Sequence, residues 1–97
     1  MKRIICDAIE SRSELRFSYH GGTRKAEPHC YGVGKDGDEL LRAYQTSGFS
    51  SSGNHRGWKL LQVSEMKSIT LSGAVFERPR RGYNRDDPAM DRFVCRL

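Results

Sequence analysis

The 97 residues allow one small domain and leave no room for two. Hydrophobic residues make up 36% and charged residues 30%, enough for a modest core beneath an ionic surface, which excludes disorder throughout. Lys and Arg number 17 against 12 Asp and Glu, and this net charge of +5 points to an anionic partner. No apolar run approaches the roughly 18 residues of a membrane span, and Met1-Lys2-Arg3 leads into only Ile4-Ile5-Cys6 before Asp7. Neither a spanning helix nor a secretory signal is expected.

Ile4, Ile5, Ala8 and Ile9 recur at helical spacing, with Lys2, Arg3, Asp7 and Glu10 elsewhere, predicting a short amphipathic helix over 2–11. From Leu15 the period becomes two. Leu15, Phe17 and Tyr19 alternate with Arg16, Ser18 and His20, and Gly21-Gly22 signals a hairpin. The return strand spans 24–31 and is interrupted by Pro28, which lacks an N–H and belongs on an edge or at a bulge. After a turn over 32–38, a third strand over 40–45 sends Leu41 and Ala43 one way and Leu40, Arg42 and Tyr44 the other.

Residues 46–57 are mostly Ser, Gly, Asn and His, a loop of a length that is mobile or functional in small domains. Extended structure resumes over 58–63 and again over 67–71. The arginine-rich tail over 76–97, broken by Pro79, Gly82 and Pro88, regains a strand over 92–95. One helix and five to six short strands joined by tight turns predict a mainly β domain over 1–97. Its sheet, over 15–71, is expected to curl into a small antiparallel barrel.

The order of elements and several strings resemble the WYL domain, a bacterial module with an Sm-like barrel. The strings are Ala8-Ile9, Leu15-Arg16-Phe17-Ser18-Tyr19, Glu27-Pro28, Leu41-Arg42-Ala43-Tyr44, and Leu61 to Met66 ahead of Ile69, together covering roughly residues 4–83. Two departures matter. Glu39-Leu40-Leu41 stands where the family has Trp-Tyr-Leu, and Gln62 and Glu65 stand where it commonly has arginines. The resemblance implies a sensor that binds a nucleotide or single-stranded nucleic acid in transcription regulation. Such domains usually follow a DNA-binding domain, for which this chain has no room, so the expectation is a stand-alone binder or one that joins a separate DNA-binding protein.

The candidate ligand-binding residues are His29, Arg42, Tyr44, Arg56, Trp58, Lys59, Arg80 and Arg81. Arg42, projecting beside Tyr44, either pairs with phosphate while the ring stacks on a base, or pairs with Glu39 or Asp38. Trp58 between Arg56 and Lys59 is the mixture used by non-specific single-strand binders, or else barrel-edge packing. Arg80 and Arg81, near Tyr83, either contact phosphates or belong to a segment wrapping the barrel with Tyr83 as anchor.

Cys6, Cys30 and Cys95 are an odd, widely spaced set without a Cys-x-x-Cys pair, predicting free thiols in a reducing cytoplasm. His20, His29, Cys30 and His55 lack metal-ligand spacing, and no orienting group makes Cys30 with His29 or His55 a catalytic pair. The expected function is non-enzymatic binding of an anionic ligand without cofactor or metal. The alternative is a partner or homodimer module using an open barrel edge at the Pro28 strand.

Overall fold

The computed structural model describes all 97 residues. Its elements are α1 (Arg3–Ser11), β1 (Ser13–Tyr19), β2 (Gly22–Val33), β3 (Glu39–Gly48), β4 (Gly57–Gln62), a 3-10 turn (Val63–Glu65), β5 (Lys67–Val75) and β6 (Arg92–Arg96). Strands hold 51% of the residues, so the mainly β expectation stands. The helix ends because Arg12 turns left-handed (φ 53°), where its N–H caps the carbonyls of Ala8 and Ile9. The same residue anchors the far end of β5. Its guanidinium donates to the Glu77 carbonyl at 2.7 Å, and its own carbonyl accepts the Phe76 N–H at 2.9 Å.

The β1–β2 hairpin turns on His20 (φ 51°) and Gly21 (φ 87°), with Tyr19 opposite Gly22. Two successive positive φ values match the right-handed twist of the flanking strands. All strands are antiparallel, in the order β4-β3-β2-β1-β5, with β6 beside the second half of β2. The long strand β2 is therefore central: β3 runs along one side, β1 and then β6 along the other. Pro28 sits at a bulge in the β2–β3 ladder, between its pairing with Ala43 and that of Cys30 with Arg42. The Pro28 strand is thus paired on both sides, and it offers no open edge. The free edges belong to β4, β5 and β6.

No ladder joins β4 to β5, so the six-stranded sheet is curved but not closed. Across the opening, β4 touches β1 rather than β5, through the Gln62 N–H donating to the Tyr19 hydroxyl at 2.9 Å. The reason lies in the composition of β5. Ile69 packs against the core, whereas Leu71 and Val75 remain 53% and 72% exposed, leaving little apolar surface to draw the two edges together.

The core gathers Ile5, Ala8 and Ile9 from α1 with Leu15, Phe17, Tyr19, Ala26, Tyr31, Leu41, Ala43, Leu61, Val63 and Met66. Leu41 and Ala43 face inward while Leu40, Arg42 and Tyr44 lie on the outer face, as the alternation predicts. Close approach of β6 depends on Gly32, where a Cβ would sit 2.4 Å from the Arg92 carbonyl oxygen and 3.0 Å from the Met90 sulfur.

One expectation is overturned outright. Cys6 and Cys95 form a disulfide with Cα atoms 5.8 Å apart, tying α1 to β6, and Cys30 alone is free and buried. Count and spacing missed a pair separated by 89 positions, because β6 returns beside the helix only in three dimensions. Disulfides persist in oxidising surroundings, so the cysteines no longer argue for a reducing cytoplasm. No helix is long and apolar enough to cross a membrane. Because the cross-link closes nearly the whole chain, Cys6→Ser/Cys95→Ser is expected to lose about 2–5 kcal/mol of stability. Urea unfolding of the variant, and of the parent with and without dithiothreitol, measures that loss.

Candidate ligand-binding face

Alternation along β3 and β4 sends Arg42, Tyr44 and Trp58 to the outer face of the sheet, where Tyr44 and Trp58 are cross-strand partners. Their rings meet edge to face with centroids 5.6 Å apart. The tail over 76–91 crosses this face. His29 is fully buried beneath it, with Trp58 at 4.7 Å, Phe76 at 5.4 Å and Tyr83 at 5.1 Å between ring centroids. Trp58 donates its indole N–H to the Arg81 carbonyl at 3.0 Å, and the Tyr83 hydroxyl donates to the His29 and Leu97 carbonyls. Tyr83 is thus an anchor of the wrapped segment.

Two guanidiniums are clasped by buried carboxylates. Arg42 donates from Nε and Nη2 to Asp87 at 2.7 and 3.2 Å, and Arg80 donates from the same atoms to Glu27 at 2.7 and 3.0 Å. Asp87 and Glu27 are 4% and 5% exposed. The Arg42 hydrogen bonds, the largest cause, hold the Asp87 carboxyl below its usual range. Neither Glu39 nor Asp38 is the partner of Arg42. Glu39 instead accepts the Tyr31 hydroxyl and pairs with the terminal amine at 3.2 Å. Each clasp occupies two of five guanidinium donors, leaving the other three on Arg42 without a protein acceptor.

The remaining candidates divide. Arg80 and Arg56 lie over the Tyr44 ring at 4.6 and 5.7 Å, and Arg56 also donates to the Thr46 carbonyl at 3.0 Å. The Arg81 side chain is exposed. Lys59, adjacent to Trp58 on the strand, points to the opposite face and donates to the Asn54 carbonyl and the Ser50 hydroxyl. It does not join the other candidates. The structure brings Arg42, Tyr44, Arg56, Trp58 and Arg80 together over His29 and separates Lys59 from them. A cleft of about 200 Å³ is lined by Arg42, Trp58, Gly82, Tyr83, Asn84, Asp87 and Pro88, so of these candidates only Arg42 and Trp58 reach it.

Sequence reasoning missed Glu27, Phe76, Asn84 and Asp87. Asp87 gave no local signal, since its partner Arg42 lies 45 residues away. The Cys30 thiol is pushed up to about 11, chiefly by burial, so it stays protonated at neutral pH. No group of three His, Cys, Asp or Glu side chains could hold a metal ion.

His29 uses both ring nitrogens. Nδ1 donates to the Glu27 carbonyl at 2.8 Å, and Nε2 accepts the Arg80 N–H at 3.0 Å, which requires the neutral ring. Burial, the dominant cause, lowers its pKa below the ordinary 6.5. The unfolded chain therefore takes up a proton first. The stability contributed by neutral His29 is full above about pH 6.5 and declines as the pH falls from there toward the folded-state value. Urea midpoints measured from pH 7.5 to 5.5 are expected to fall for the parent and to flatten for His29→Gln.

No protein-family model, no curated protein and no solved structure matches the chain.

Proposed function

We propose that the protein is a non-enzymatic binding domain of the WYL type, with an Sm-like sheet, that accepts a nucleotide or single-stranded nucleic acid in a transcription-regulatory setting. The observation that carries this reading is the cleft in which Trp58, Tyr83 and Arg42 converge. A volume of about 200 Å³ suits one planar ring. Trp58 supplies a stacking surface that every base can use, and Arg42, held rigid by Asp87, points unspent donors at an anionic or carbonyl group. The exposed Arg56 and Arg81, neither of them in an ion pair, add positive charge to the surface. The departures at Gln62 and Glu65 move the burden of binding from the family's arginines to this outer face. A protonated Cys30 and a doubly hydrogen-bonded His29 offer no nucleophile and no free base, which supports a binding role over catalysis.

The second reading, self-association, is favoured by one feature: Leu71 and Val75 are exposed on β5, a free edge of the sheet. Concentration-dependent sizing separates the two, because a stable dimer without nucleic-acid binding supports the edge.

Binding of a labelled oligothymidylate is expected to weaken with salt at a log–log slope of about −0.7 per phosphate contacted. Trp58→Ala is expected to lower affinity by about 5- to 160-fold, the equivalent of roughly 1–3 kcal/mol of stacking. Unchanged affinity in Trp58→Ala, or a flat salt response, rejects the reading.

A further inference from the structure

The protein gives a buried carboxylate to each of the two clasped guanidiniums, yet its most buried arginine has none. Arg24 is 4% exposed and projects inward from β2, opposite Phe17. Its guanidinium lies between the rings of Tyr19 (4.7 Å) and Phe49 (5.7 Å). One long hydrogen bond, from Nη1 to the Gln45 side-chain oxygen at 3.4 Å, is its only polar contact. Arg24 Nε is the one buried side-chain nitrogen or oxygen in the protein without a hydrogen-bond partner.

The inward-pointing Lys59 reaches the same segment as Arg24: Arg24 lies against the ring of Phe49, and Lys59 donates to the hydroxyl of the next residue, Ser50. Burial is the larger cause lowering the Lys59 pKa, and the Arg24 charge is the second. Lys59 donates to the Asn54 carbonyl at 2.6 Å and to the buried Ser50 hydroxyl at 3.2 Å. Neither cation takes part in any of the molecule's five ion pairs. Two sheltered positive charges without a carboxylate repel each other and cost folding stability, and an unpaired buried donor adds to that cost. The two aromatic rings and the bond to Gln45 offset part of that cost for Arg24, but no group of the protein supplies the missing negative charge or an acceptor for Nε. The arrangement makes sense when a third, negatively charged body completes it.

We propose that Arg24, Lys59 and Ser50 form a binding site for a phosphate group, which lodges beneath the segment 49–56 and bridges the guanidinium and the ammonium. A phosphate dianion balances both cations and offers acceptors to the free Nε–H, the ammonium and the Ser50 hydroxyl. The segment above it is the Ser-, Gly- and Asn-rich stretch of the sequence, and it must lift for the anion to reach Arg24. Gly53, with φ +81° and open space around its Cα, permits that bend. The site lies on the face of β4 opposite Trp58 and stands independently of the outer cleft.

The test is thermal unfolding in sodium phosphate against sodium chloride at equal ionic strength. The parent midpoint is expected to rise by several degrees at saturating phosphate. The rise should vanish in Lys59→Gln and Arg24→Gln and persist in Trp58→Ala. Should Arg24→Gln fail to fold, Lys59→Gln decides, because its midpoint in chloride should hold or increase once the repulsion is gone. Titrations of Trp58→Ala, which removes the stacking surface of the outer cleft, with inorganic phosphate, adenosine monophosphate and adenosine identify the source. Tighter binding of the monophosphate than of phosphate assigns a phosphate ester, equal binding assigns free phosphate, and either supports the site. A phosphate effect that is absent, that survives Lys59→Gln, or that adenosine reproduces overturns it. So does a lower chloride midpoint for Lys59→Gln, which marks a purely structural lysine.

Discussion

Two carboxylates, Glu27 from the central strand and Asp87 from the tail, hold the outer face together. A buried ionised carboxyl is tolerable only when paired and hydrogen-bonded, and each of these has an arginine fork across the gap between sheet and tail. The pairing is reciprocal: the sheet offers Glu27 to Arg80 of the tail, and the tail offers Asp87 to Arg42 of the sheet. Residues 76–91 contain no helix or strand, so these clasps, the His29–Arg80 hydrogen bond and the Tyr83 hydroxyl fix their course. The aromatic cluster follows. Phe76 and Tyr83 reach His29 and Trp58 because the tail is pinned where it crosses them, and the cleft between Trp58 and Asn84 is bounded on one side by that same tail.

The clasps also recast what a net charge of +5 means. Arg42 and Arg80 are largely neutralised where they stand, so the excess lies elsewhere. Arg16 and Lys25 are direct cross-strand neighbours on β1 and β2, without a carboxylate partner. Like charges so placed destabilise a sheet. Buried charge is treated in two ways. Structural arginines receive acids from distant parts of the chain, while the buried Arg24 receives none.

What was legible in the sequence was whatever a local period encodes. The alternation at Leu15, Phe17 and Tyr19, the inward Leu41 and Ala43, the helix, the bulge at Pro28 and the late strand near Arg92 all follow from spacing and backbone chemistry. What was not legible depended on partners far along the chain. Arg42 has acidic neighbours at Asp38 and Glu39, so proximity suggested them, whereas burial selected Asp87. Cys6 and Cys95 meet because β6 returns along β2, and their number could not say so. The closure of the sheet was overestimated because a curling tendency was inferred from strand count without asking how much apolar surface β5 brings. The separation of Lys59 from Trp58 was readable in principle, since consecutive strand residues face opposite ways.

The bond between Cys6 and Cys95 gives the molecule an unusual mechanical character. A tension applied at its two extremities passes from the first helix to the last strand through a covalent link and bypasses the hydrogen-bonded ladders between them. Only the few residues outside that link can be stretched, and the sheet carries no load until the sulfurs are reduced. Whatever is tethered to this domain can therefore be pulled without deforming the sheet or the cleft on its outer face.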